Sequence, residues 1–72
     1  MPYRLCDKKA AQLRVGDRVT GWGPGGRMHE VTANIPSSGG QRQVDACDLL
    51  GNTRREVLPA DGDVTVAERS DQ

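Results

Sequence analysis

Apolar and polar residues alternate along most of this chain, in short runs broken by glycine. The run "RVTGW" (Arg18 to Trp22) is β-branched and aromatic, and Gly16-Asp17 before it supplies a turn that launches a strand. In "HEVTANI" (His29 to Ile35), Val31, Ala33 and Ile35 fall on one face and Glu30, Thr32 and Asn34 on the other, the period of a half-buried strand. Met28, Val31 and Ile35 also fit one side of a short helix. β-Branched residues lose rotamer freedom there, so a strand is expected. "PSSGG" (Pro36 to Gly40) reads as a loop, and residues 41–59 as a strand, a tight turn at Gly51-Asn52 and a returning strand. A glycine-first dipeptide suits a two-residue type II′ turn, because glycine readily takes the positive φ of its first central position. The apolar phase slips between Ala46 and Cys47, which predicts a bulge there. "ADG" is then a turn, and "DVTVAE" (Asp63 to Glu68) a last strand with Val64 and Val66 on one face. At the other end, Tyr3 to Cys6 reads as a first strand and "DKKAAQL" as a helical turn with Asp7 as its N-cap.

This order predicts an all-β fold of five to six short strands. It is similar to the SH3-like barrel class, on the strength of "LRVGDRV" (Leu13 to Val19), "GNTRREV" (Gly51 to Val57) and "PADGDVTV" (Pro59 to Val66). The resemblance implies a small SH3-like barrel over residues 13–68, a strand or helical turn over residues 1–12 packing on it, and a flexible tail over residues 69–72. Eight Arg against two Lys, with abundant Gly, Asp and Val, also resembles the short proteins of actinobacteria and their phages. That likeness of style assigns no functional residue, and a barrel fold does not fix a function.

Composition narrows the picture further. Seventy-two residues make one small domain near the lower limit of independent folding. Only 3% of residues are aromatic and none is Phe, so the core must be built from Val, Leu, Ile and Ala. Docking against a partner would add stability to so thin a core. Ten basic and ten acidic residues give a formal net charge of zero, so no global field draws in nucleic acid or an anionic membrane. Cys6 and Cys47 are isolated and read as reduced thiols of a cytoplasmic protein. With His29 as the one histidine, neither a zinc site nor any other cofactor is expected. No apolar run approaches the roughly 20 residues that cross a bilayer.

The run "GWGPGGRMHE" (Gly21 to Glu30) satisfies G-x-G-x-x-G at Gly21, Gly23 and Gly26. A dinucleotide fingerprint needs a helix after the loop, whose N–H groups hold the pyrophosphate. Here Pro24 sits inside the motif and a strand follows, so the run reads as a hairpin reversal. Trp22 stands at its edge, either capping the aromatic-poor core or anchoring a partner together with Arg27 and His29, a residue mix enriched at interfaces. A second candidate patch joins Arg42 to Arg54 or Arg55 for phosphate contacts. Arg54 and Arg55 are adjacent in a strand and therefore face opposite ways. No arrangement of nucleophile, base or paired carboxylates suggests catalysis. The expectation is a non-enzymatic module that binds a protein partner, the alternatives being a nucleic-acid-binding module or a self-assembling structural protein.

Overall fold

Alternation of buried and exposed side chains is what these strands inherit from their sequence. The structure, a computed structural model, describes residues 3–69. Six strands are present: β1 (Tyr3–Lys9), β2 (Arg18–Trp22), β3 (Arg27–Ser37), β4 (Gln41–Cys47), β5 (Thr53–Pro59) and β6 (Asp63–Arg69). Single 3₁₀ turns occupy Ala10–Gln12, Pro24–Gly26 and Ser38–Gly40. The strands form one antiparallel sheet in the order β1-β6-β2-β3-β4-β5. Val19, Val31, Val44 and Val66 are fully buried on one face, where Ala10, Leu13 and Val64 join them. At about 1.5–3 kcal/mol for each fully buried aliphatic side chain, these residues supply most of the drive to fold. The chain is thus all-β, as its alternation predicts.

The sheet is not closed into a barrel. Among the described residues β1 and β5 share no ladder, and both remain edge strands. The core is covered instead by the segment that follows β1. Ala10 and Ala11 donate backbone hydrogen bonds to the carbonyls of Gly62 and Ala60, and Leu13 turns into the core. Asn34 Nδ2 donates to the carbonyls of both Ala10 and Leu13 at 2.9 Å, which ties this segment to β3. This segment packs against the core face of the open sheet, with Ala10 and Leu13 in the core cluster.

Four local expectations are corrected. The bulge lies in β3: Val31 opposes Ala46 and Ala33 opposes Asp45, so Thr32 is the extra residue. It flips the phase of β3, leaving Val31 buried, Ile35 exposed and Asn34 turned toward the covering segment. The β4–β5 turn is longer than two residues, because the last strand pair is Cys47 with Thr53. Asp48 N–H donates to Asn52 O and Gly51 N–H to Asp48 O, with Gly51 at φ 85°, a three-residue loop with a left-handed glycine. β3 continues through Pro36 to Ser37, so only Ser38–Gly40 is loop. β1 runs on to Lys9, which makes Asp7 a strand residue; Lys9 is the residue that precedes the 3₁₀ turn. Of the predicted tail, Arg69 pairs with Tyr3 in the sheet, and residues 70–72 lie outside the described residues.

Candidate functional site

In an antiparallel meander alternate turns fall at the same end, so the β2–β3 turn and the β4–β5 tip are neighbours. Register sets how they meet. Glu30 opposes Cys47, so Arg27, Met28 and His29 run past the end of β4 and lie beside the tip residues. Arg27 Nη1 is 3.6 Å from the Asp48 carboxylate, which is only 7% exposed.

Asp48 organises the tip. Its Oδ1 accepts from the backbone N–H groups of Leu50 and Asn52, both at 2.9 Å, and its Oδ2 from the Asn52 amide. The backbone hydrogen bond from Asn52, with the others and nearby Arg27, holds its carboxyl below the usual range. Turn geometry therefore rests on Asp48, Gly51 and Asn52. The side chains of Leu49 and Leu50 play no part in it, and they are 100% and 73% exposed. Beside them Met28 is 38% exposed. A groove of about 250 Å³ runs between Tyr3, Met28, Cys47 and Leu49, and a hollow of about 300 Å³ between Arg27, Met28, Leu49 and Leu50. The Arg18 guanidinium lies 5.5 Å from the centre of the Tyr3 ring and fixes this wall of the groove.

A second hollow of about 210 Å³ lies beside the tip, lined by Gly23, Arg27, His29, Asp48, Asn52, Thr53 and Arg54. His29 is 5% exposed, against the expectation of an exposed contact residue, because its side chain shares the core-side face of β3 with Val31. Its Nδ1 lies 3.0 Å from the Arg27 carbonyl. A carbonyl only accepts, so Nδ1 carries the proton. Gly23 has φ 73° and ψ −179°, a conformation essentially reserved for glycine. A Cβ there would lie 3.5 Å from both Arg54 Nη1 and His29 Cε1.

The fold brings together three of the expected residues, since Trp22 pairs with Arg27 across the turn and its ring centre is 6.5 Å from that of His29. Trp22 itself is partly buried against the core, at its rim. Arg54 joins this group through the wall of the Gly23 hollow. Arg42 and Arg55 stand elsewhere. Arg42 Nε donates to Asn34 Oδ1 at 2.9 Å and its Nη2 to the Asn34 carbonyl at 3.1 Å. Arg55 points to the opposite face and pairs with Asp45 at 2.9 Å, while Arg54 pairs with Glu56. Leu49, Leu50, Met28 and Tyr3 were missed because apolar residues in a β pattern read as core. The signal available was their position: two leucines fall between Asp48 and the Gly51-Asn52 turn signal.

The remaining chemistry is sparse. Among the described residues no group of three or more His, Cys, Asp or Glu could hold a metal, and Cys6 and Cys47 are free thiols. No helix among the described residues is long and apolar enough to cross a membrane. In comparisons with known proteins, no family model matches the chain, and no curated protein or solved structure matches it significantly.

Proposed function

We propose that the protein is a non-enzymatic binding module whose β4–β5 tip docks a protein partner, with Leu49, Leu50 and Met28 as the apolar contact and Arg27 at its rim. The observation that carries this reading is the full exposure of Leu49 in a turn built by other residues. Two adjacent leucines there add nothing to folding and expose apolar surface, a liability that a binding surface justifies. Met28 supplies an adaptable floor to the groove. The arginines considered for phosphate contacts support nucleic-acid binding less well, because Arg54 and Arg55 each have a carboxylate partner and Arg42 is engaged by Asn34.

A photoreactive benzophenone side chain placed at position 49, and separately at Ile35, tests the reading in cells of the source organism. Ile35 is apolar and 48% exposed, and so controls for mere stickiness. A discrete adduct from position 49, absent from position 35 and lost in Leu50→Asp, is the expected result. Equal labelling from both positions, or none at position 49, would sink it. An adduct of twice the chain's mass would identify the partner as a second copy.

A further inference from the structure

β1 and β5 are the free edges of the sheet, and they differ in how they are guarded. An exposed strand edge offers unpaired N–H and C=O groups to another chain, and proteins blunt it with proline, bulges, charge or a covering segment. β5 carries Arg54 and Arg55 and ends on Pro59, which has no N–H to offer. β1 has neither proline nor glycine, and all its residues pair with β6 in one unbroken register. That register fixes which backbone groups point outward. The Ala10 N–H donates to the Gly62 carbonyl at 2.8 Å, one step beyond the Lys9–Asp63 pair, so Lys8, Cys6 and Arg4 turn their N–H and C=O groups toward β6. Tyr3, Leu5, Asp7 and Lys9 turn theirs away. In keeping with this, the Lys9 N–H donates to Gln12 Oε1 at 3.1 Å, outside the β6 ladder. Gln12 thereby closes the Lys9 end. Among the described residues nothing closes the rest of the edge, and Leu5 at its middle is 67% exposed.

We infer that the β1 edge pairs with the same edge of a second copy, antiparallel about a two-fold axis at Leu5, so that two sheets join into one. The residues themselves select this register. Leu5 then faces Leu5 of the second copy and Tyr3 faces its Asp7, each pair exchanging both N–H···O bonds because these residues carry the outward groups. On the core side Arg4 faces the second copy's Cys6, whose thiol donates to Glu68. The Arg4 side chain is 76% exposed and stands a loose 3.9 Å from its own Glu68, so it can reach the Glu68 of the second copy, and symmetry repeats that contact. Moving the axis to Arg4 or Asp7 would set like charges face to face, and moving it to Cys6 would set Leu5 against Asp7. A ladder this short covers less than the roughly 1,600 Å² of a standard stable interface, so the dimer is weak, with a Kd between about 10 μM and 1 mM. The inference does not depend on the docking role of the tip.

Sedimentation of the full chain from about 10 μM to about 1 mM, with amide exchange read by NMR over the same range, tests this. The average mass should climb from that of the monomer toward twice that value. Exchange at the Leu5 and Asp7 amides should slow in proportion to the loss of monomer, while the Cys6 and Lys8 amides, already bonded to β6, change little. Leu5→Lys, which sets like charges at the axis, should weaken association by roughly tenfold or more. Arg4→Glu, on a largely exposed side chain, is the second variant and should weaken it as well. A monomer up to about 1 mM would overturn the inference and leave the tip reading untouched. So would a dimer that either folded variant leaves intact, or one in which Leu5 and Asp7 exchange as fast as in the monomer. A dimer broken by Leu50→Asp and indifferent to Leu5→Lys would place the second copy on the tip instead.

Discussion

Asn34→Ala should be among the most damaging polar substitutions in the protein. The side chain makes three hydrogen bonds of 2.9 Å: two donated to the carbonyls of Ala10 and Leu13, one accepted from Arg42 Nε. At a net of about 1 kcal/mol each, the loss is about 3 kcal/mol, somewhat less where water reaches the freed carbonyls. For a domain of this size each 1 kcal/mol moves Tm by roughly 4–8 °C, so a fall of about 10–20 °C is expected in a thermal melt followed by circular dichroism. Asn34→Asp is the more incisive variant. It keeps the shape and the acceptor for Arg42, yet sets a carboxylate oxygen against two carbonyls, and should cost at least as much as alanine. Arg42→Ala should cost about 1–2 kcal/mol, and the double variant less than the sum of the two, because one bond is shared. Amide exchange should quicken selectively at Ala10 and Ala11, whose N–H groups pair with Gly62 and Ala60 in the segment that Asn34 anchors. If Asn34→Ala lies within about 0.5 kcal/mol of the native chain, or Arg42→Ala is neutral, the clasp does not hold the covering segment.

Three further outcomes follow from the geometry. Gly23→Ala, at φ 73° and ψ −179°, should destabilise by about 1–3 kcal/mol in urea unfolding, with no steric clash needed. Acid stability is set by Asp45, held below the usual carboxylate range by its hydrogen bond from Arg55, and by Asp48, held low by Asn52. Both contribute stability that is present above the unfolded carboxylate value, about pH 4, and is lost as pH falls through the lower folded values. Urea midpoints should therefore be flat from neutral pH to about pH 5, fall below about pH 4, and fall less steeply in Asp45→Asn. The Cys6 thiol donates to Glu68 at 3.1 Å, and that bond, with partial burial, raises its pKa. Iodoacetamide should label Cys6 faster in Glu68→Gln; an unchanged rate would refute the coupling.

The strands were legible because each carries β-branched residues at period two with turn residues at its ends, and β2 begins and ends where "RVTGW" does. What period two cannot report is a single extra residue. Thr32 looks like any outward strand residue, yet it reverses every side chain after it, which is why Ile35 reads as core and is exposed while Asn34 reads as solvent-facing and anchors the covering segment. Closure was not legible for a related reason. Strand count fixes neither which edges meet nor what lies over the core, and the covering residues Ala10 to Leu13 are held by backbone carbonyls and one amide. At the site, the Trp22, Arg27 and His29 grouping followed from the turn. The exposure of Leu49 and Leu50 at the tip did not, because hydrophobicity alone cannot separate a leucine of the interior from one presented at a turn.

The sheet order has a consequence for how the chain is made. β6 inserts between β1 and β2, pairing with both. During synthesis the meander from β2 to β5 can assemble as it emerges, since its ladders join neighbours in sequence. β1, although made first, has no partner until residues 63–69 have left the ribosome, and Val64 and Val66 reach the core only then. Until that moment the nascent chain carries an unpaired strand and a half-filled core, so a stall or truncation before residue 63 should leave a species prone to aggregation rather than a smaller folded protein.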